Sequence, residues 1–119
     1  RACKRDALLV LSVGGGSRQP LISANLVAAI DEAQARGMDV LGIVGRDGGY
    51  TKQRGDIVVV IPVVNEHCVT PHTEAFQAVV WHGIVSDPRL MMRGNKWETT
   101  IGLEQRGTGR PQGVVMRGT

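Results

Sequence analysis

The feature that most restricts the fold is an apolar run that empties into a glycine-rich turn and then into an amphipathic helix. Ala7-Leu-Leu-Val-Leu-Ser-Val13 leads to Gly14-Gly15-Gly16-Ser17, and Ser23-Ala24-Asn25 opens a segment over 26–36. Leu26, Val27, Ile30 and Ala33 recur at helical spacing, with Asp31 and Glu32 facing solvent and Gly37 as the stop. Ser23 is the expected N-cap. Leu8–Val13 reads as a buried strand, short, apolar and closed by glycines. Two more runs of the same kind follow: Val40–Val44, ending in Gly45-Arg46-Asp47-Gly48-Gly49, and Asp56–Pro62, entered through Gly55. The order β-α-β-loop-β, with right-handed crossovers, lays three strands parallel in one sheet.

The 119 residues provide for one domain. A hydrophobic share of 42% with only 3% aromatics describes a Val/Ile/Leu/Ala core, as in parallel sheets flanked by helices. Thr70-Pro71 starts a further helix to about Val85, with Phe76, Val79, Val80 and Ile84 as its buried face and Asp87-Pro88 as its end. The Gly/Arg-rich stretch 101–119 has no sustained period and reads as a poorly ordered tail behind a folded part spanning 1–100. Trp97, between Lys96 and Glu98, reads as a packing anchor.

Charge is unevenly placed. The net charge is +3, but from Arg89 onward six basic residues stand against two acidic ones, which leaves the preceding part at −1. Nucleic acid is therefore not the expected partner; a basic tail is the rival reading, and it lacks aromatics for base stacking. No run is long and apolar enough for a membrane span. Cys3 and Cys68 form no disulfide framework, and a reducing cytoplasm is the expected compartment.

A turn without Cβ atoms lets main-chain N–H groups converge, and a helix start adds the positive end of its dipole. Ser12, Gly15, Gly16, Ser17, Ser23 and Asn25 then form a pocket of uncharged donors suited to a phosphate group. The competing reading is a flexible joining loop. No Gly-Lys-Ser/Thr follows the glycines, and Gln19 stands where a dinucleotide fingerprint needs its third glycine, so nucleotide-binding patterns are excluded. Arg46 and Asp47, in the second glycine-rich loop, either contact a ligand or hold the turn. Glu74, Ala78 and His82 fall at i, i+4 and i+8 along one side of a helix, where a carboxylate and an imidazole can share a substrate or a metal. His67, Cys68 and His72 match no usual zinc spacing.

Leu11-Ser-Val-Gly-Gly-Gly-Ser17, Ser23-Ala-Asn-Leu-Val-Ala-Ala-Ile30 and Gly45-Arg-Asp-Gly-Gly49, in that order, resemble the second half of a sugar isomerase (SIS) domain of the phosphoheptose isomerase branch. The resemblance runs from about Ala7 to His82 and implies a parallel three-layer α/β/α fold, truncated at its N-terminus. It implies a phosphorylated sugar as ligand and aldose–ketose isomerisation as the activity of the parent protein; the sheet edge and helix face that a truncated piece leaves uncovered are expected to make it associate with itself as a homo-oligomer. The family's last helix carries a Gln and, eight residues on, an acid/base His that can ligate zinc; Glu74 and His82 hold those positions. They are the catalytic candidates and the candidate ligands of a zinc ion. This chain departs from the pattern in Glu74 for Gln, in glycines at 14 and 16 for Ser/Thr, in extra residues over 17–22, and in Pro71 for an Asp. The family's Asn-Gly-Gly-Ser stretch and catalytic Glu precede the matched part, so the chain is expected to be an inactive C-terminal piece. A non-catalytic, sugar-phosphate-binding regulatory SIS module is the alternative.

Overall fold

The computed structural model describes residues 2–90. The tail expected over 101–119 and the Trp97 anchor lie outside the described residues. A parallel sheet is built from β1 (Ala7–Ser12), β4 (Asp39–Val44) and β5 (Ile57–Val60), in the order β1-β4-β5. Between β1 and β4 come a short antiparallel hairpin, β2 (Ser17–Arg18) and β3 (Leu21–Ile22), and then α1 (Ala24–Ala35). A short helix not anticipated from the sequence, α2 (Gly49–Arg54), links β4 to β5. After β5 a 3-10 turn, Glu66–Cys68, runs into α3 (Val69–Ser86).

Register follows from side-chain size. Val10, Gly42 and Val58 stand abreast on the face covered by the crossover helices. A Cβ on Gly42 would meet the Thr51 methyl at 2.7 Å, so the missing side chain is what lets α2 lie on the sheet. Asp56 fixes where β5 begins: its N–H donates to the Val40 carbonyl (2.8 Å) and its Oδ2 accepts the Val40 N–H (2.7 Å). One core cluster is Val10, Val27, Ile30, Ala33, Val40 and Tyr50, and Ile43, Val44 and Ile61 are buried as well. The α1 stripe is the one its spacing indicates, with Val27, Ile30 and Ala33 buried. Gly37, at φ +67, ends this helix in a Schellman motif, with Met38 N–H on the Ala33 carbonyl and Gly37 N–H on that of Gln34.

Four expectations are corrected. First, β1 and β5 are not buried on both faces. Leu9 and Leu11 are 47% and 49% exposed, and Ile57 is 68% exposed. Successive strands joined by crossovers of one hand place both connecting helices on one face, and α1 and α2 do pack on each other. Second, Ser23 occupies the N-cap position but does not cap with its side chain. Its backbone is left-handed (φ 54), whereas capping by a hydroxyl needs extended geometry. Third, α3 starts at Val69, before Thr70, because Pro71, which has no N–H to lose, is tolerated within a first helical turn. Fourth, Phe76 (53%), Val79 (63%) and Ile84 (43%) are exposed. The buried residues of α3 are Thr73 and Gln77. Gln77 donates from Nε2 to the Ile43 carbonyl (2.8 Å), and Thr73 packs over Gly45, where a Cβ would clash, so this hydrogen bond and close approach, not the apolar stripe, set the rotation of the helix.

Candidate functional site

Two glycine-rich loops leave the carboxyl ends of β1 and β4 and meet backbone to backbone. Gly15 and Gly16 both have left-handed φ, +70 and +75. Their carbonyls accept the N–H groups of Thr51 (2.9 Å) and Tyr50 (2.7 Å), and the buried Thr51 hydroxyl adds a bond to Gly15 O (2.8 Å). A Cβ on Gly15 would lie 2.0 Å from the Gly48 carbonyl oxygen, and one on Gly49 would lie 2.3 Å from Gly14 O. These glycines therefore serve a close loop–loop contact, and the joining segment is fixed by it. Gly15 N–H is engaged as well, donating to Ser12 Oγ (3.0 Å), which leaves the Ser12 hydroxyl proton for another acceptor.

The β2–β3 hairpin walls the other side. Arg18 donates from Nε to Tyr50 Oη (3.0 Å) and pairs with Asp31 through its terminal nitrogen. Tyr50 in turn donates to Asp31 Oδ1 (2.6 Å), and the guanidinium carbon lies 5.1 Å from the Tyr50 ring centre. Arg18, then Tyr50, hold the Asp31 carboxyl below the ordinary aspartate range, and Asp31 holds the Arg18 guanidinium above its own. Sequence reasoning left Asp31 in solvent and passed over both partners. The available signal was Tyr50, the single tyrosine of the chain, directly after Gly45–Gly49.

Between hairpin and loops lies an open cleft of about 960 Å³. Ser12, Gly14, Gly16, Ser17 and Ser23 line it, together with Arg18, Gln19, Arg46, Asp47, Tyr50, Gln53 and Thr70. Gly15 and Asn25, read from the sequence as phosphate contacts, are not in the lining. The open choice at the second loop resolves by residue. Asp47 holds the turn, its Oδ1 accepting the Gly49 N–H (3.1 Å), while Arg46, left-handed at φ 51, extends along the cleft.

The catalytic candidates stand elsewhere. Glu74 and His82 are exposed on α3 and do not line the cleft, and the His82 ring stacks on that of Trp81 at 3.7 Å. At 1.5 Å rise per residue, their positions are about 12 Å apart along the helix. Among the described residues no three His, Cys, Asp or Glu side chains converge. Glu74 and His82 thus have no third such side chain beside them among the described residues, and no step below passes through a metal. Among those residues, too, no helix is long and apolar enough to cross a membrane.

No protein-family model matches the chain. Among individual proteins, it is 38% identical over 77 residues to "Lincomycin biosynthesis protein LmbN" of Streptomyces lincolnensis, covering 65% of this chain and 28% of that protein. It is 31% identical over 85 residues to the phosphoheptose isomerase of a Nitratiruptor species, covering 71% of this chain and 40% of the relative. In three dimensions it is similar to a phosphoheptose isomerase from Francisella tularensis, with TM-score 0.50 and 26% identity over 65% of this chain and 39% of that one. The chain thus spans well under half the length of the relatives it matches. Similarity in sequence and in the parallel α/β fold, over the region that brings the two glycine loops together, supports a phosphoheptose isomerase-like SIS family for this chain, which corresponds to part of those relatives.

Proposed function

We propose that the cleft binds a phosphorylated sugar. The observation that carries this reading is the cluster of uncharged donors at the ends of two parallel strands: the hydroxyls of Ser12, Ser17 and Ser23 beside Gly16, all on one cleft. Ser12, Gly16, Ser17 and Ser23 hold the phosphate group. Gly15 acts through the shape of the turn, and Asn25 through the start of α1. The names of the relatives support a sugar phosphate as the class of ligand.

In the whole isomerase we assign proton transfer to His82 and substrate orientation to Glu74. Aldose–ketose isomerisation removes the proton α to the carbonyl and moves protons between O1 and O2 through a cis-enediol. That chemistry requires acid and base within hydrogen-bond reach of the reacting carbons. Because Glu74 and His82 stand off the cleft, the 119 residues by themselves bind without turnover. The same observation favours a second reading, a non-catalytic sugar-phosphate-binding regulatory module. We further propose that the chain associates into a homo-oligomer through its open apolar sheet face, where Leu9, Leu11 and Ile57 are exposed.

Calorimetric titration of the chain with sedoheptulose 7-phosphate tests the binding. Ser17→Ala and Ser23→Ala each weaken it by about 1–2 kcal/mol, as for hydrogen bonds to a charged acceptor. Unchanged affinity in both variants removes this loop from the site. An isomerase assay on the same chain is expected to show no turnover; turnover would refute binding alone and make Glu74 the base. Turnover by the longer parent protein, abolished by His82→Ala, separates the isomerase from the regulatory module.

A further inference from the structure

Two arginines line the cleft, and among the described residues only Arg18 has its charge matched. Arg18 is tied to Asp31 by an ion pair and to Tyr50 by a hydrogen bond, so its guanidinium is neutralised and held as part of the wall. Arg46 is exposed, and among the described residues it makes neither an ion pair nor a side-chain hydrogen bond. Its neighbour Asp47 does not pair with it and is bonded back to Gly49 N–H within the loop.

The backbone at Arg46 points the same way. Its φ of 51 lies in the left-handed region, where glycine is unstrained and a long side chain is not. Glycines occupy 45, 48 and 49 in the same loop, yet position 46 carries a long cationic side chain. That side chain lies along the glycine turn, with Cδ 3.9 Å from where a Gly14 Cβ would stand. The first loop meanwhile offers only uncharged donors. The hydroxyls of Ser12, Ser17 and Ser23 can bond phosphate oxygens but cannot balance a charge of nearly two.

We propose that Arg46 is the cationic anchor of the cleft, pairing with the phosphate group of a phosphate-monoester dianion while the serine hydroxyls complete its hydrogen bonds. This rests on the reading of the cleft as a sugar-phosphate site and adds to it a residue in the second loop that sets the charge of the ligand. A planar guanidinium presents parallel N–H donors to two phosphate oxygens, an arrangement that a lysine ammonium does not reproduce.

The experiment is calorimetric titration of the full chain with sedoheptulose 7-phosphate and, separately, with unphosphorylated sedoheptulose. The wild type binds the phosphorylated sugar and not the free sugar at the same concentration. Arg46→Gln weakens binding by about 10- to 100-fold, the range for losing a charge-assisted hydrogen bond. Arg46→Gly, which relaxes the left-handed backbone, shows the same loss, so a disturbed loop is not its cause. Arg46→Lys loses less than either. Lys4→Gln, an equal change of net charge at an exposed residue outside the cleft lining, stays within about twofold. The gap between wild type and Arg46→Gln narrows as salt is raised, because the pairing is partly exposed. If wild type prefers the phosphorylated sugar and Arg46→Gln binds it as tightly, the Arg46 assignment is wrong and the cleft reading stands. If wild type shows no such preference, the cleft reading falls and the assignment falls with it.

Discussion

Replacing Gly15 by alanine tests whether the glycine turn exists for loop packing. The new Cβ would lie 2.0 Å from the Gly48 carbonyl oxygen and 2.6 Å from its carbon, both main-chain atoms that no rotamer change can move. Alanine at φ +70 also carries a left-handed penalty of about 1–2 kcal/mol. Relieving the clash separates the loops and breaks three bonds: Thr51 N–H and Thr51 Oγ1 to Gly15 O, and Tyr50 N–H to Gly16 O. At about 0.5–1.5 kcal/mol each these add to the strain, and the total is about 2.5–6.5 kcal/mol. That is a large part of the stability of any small domain. Gly14→Ala is the internal control. Its Cβ would meet nothing closer than Arg46 Cδ at 3.9 Å, so its effect stays within about 1 kcal/mol and is stabilising if φ suits alanine. Urea unfolding followed by far-UV circular dichroism measures both variants. Equal unfolding free energies for the two would refute the packing argument and return the glycines to a role in flexibility or ligand binding.

Further expectations follow from other contacts. Asp31→Asn removes a carboxylate whose folded pKa is depressed by Arg18 and Tyr50. The stability it contributes is complete above the unfolded aspartate value of about 3.9 and disappears as pH falls through the lower folded value, so melting curves of the variant should be less acid-sensitive in that window. An unchanged acid limb would mean the pairing persists in the unfolded chain or never forms. Asp56→Ala leaves the Val40 N–H without its 2.7 Å acceptor and should cost about 1–3 kcal/mol in denaturant unfolding; a cost near zero would show that β5 finds its register without this clasp. Sedimentation velocity should show dimers or larger species that Ile57→Lys shifts toward monomer, and a wild-type monomer would refute self-association through the open face.

Where secondary structure follows from local pattern, the sequence was sufficient. Apolar runs closed by glycine or proline become β1, β4 and β5, and the spacing of Val27, Ile30 and Ala33 becomes the buried stripe of α1. The Gly/Ser turn and Gly45–Gly49 come out at the carboxyl ends of adjacent strands because parallel order follows from the β-α-β alternation itself. Pairings across long stretches of chain were not legible. That Gly15 O faces Thr51 N–H, and Arg18 faces Asp31 and Tyr50, depends on the sheet register and on where α2 lands, which no local window contains. The rotation of α3 was hidden for a related reason. Its hydrophobic stripe predicts a buried face, but burial needs an opposing surface, and among the described residues the sheet meets this helix through Gly45 and the Ile43 carbonyl. Thr73 and Gln77 match that small, polar contact, so they turn inward, and Phe76, Val79, Glu74 and His82 are left exposed. The amino-acid order thus determined which elements form and which loops share an end of the sheet. Only the tertiary structure decided which side chains reach the cleft, because that depends on the surfaces that happen to face one another.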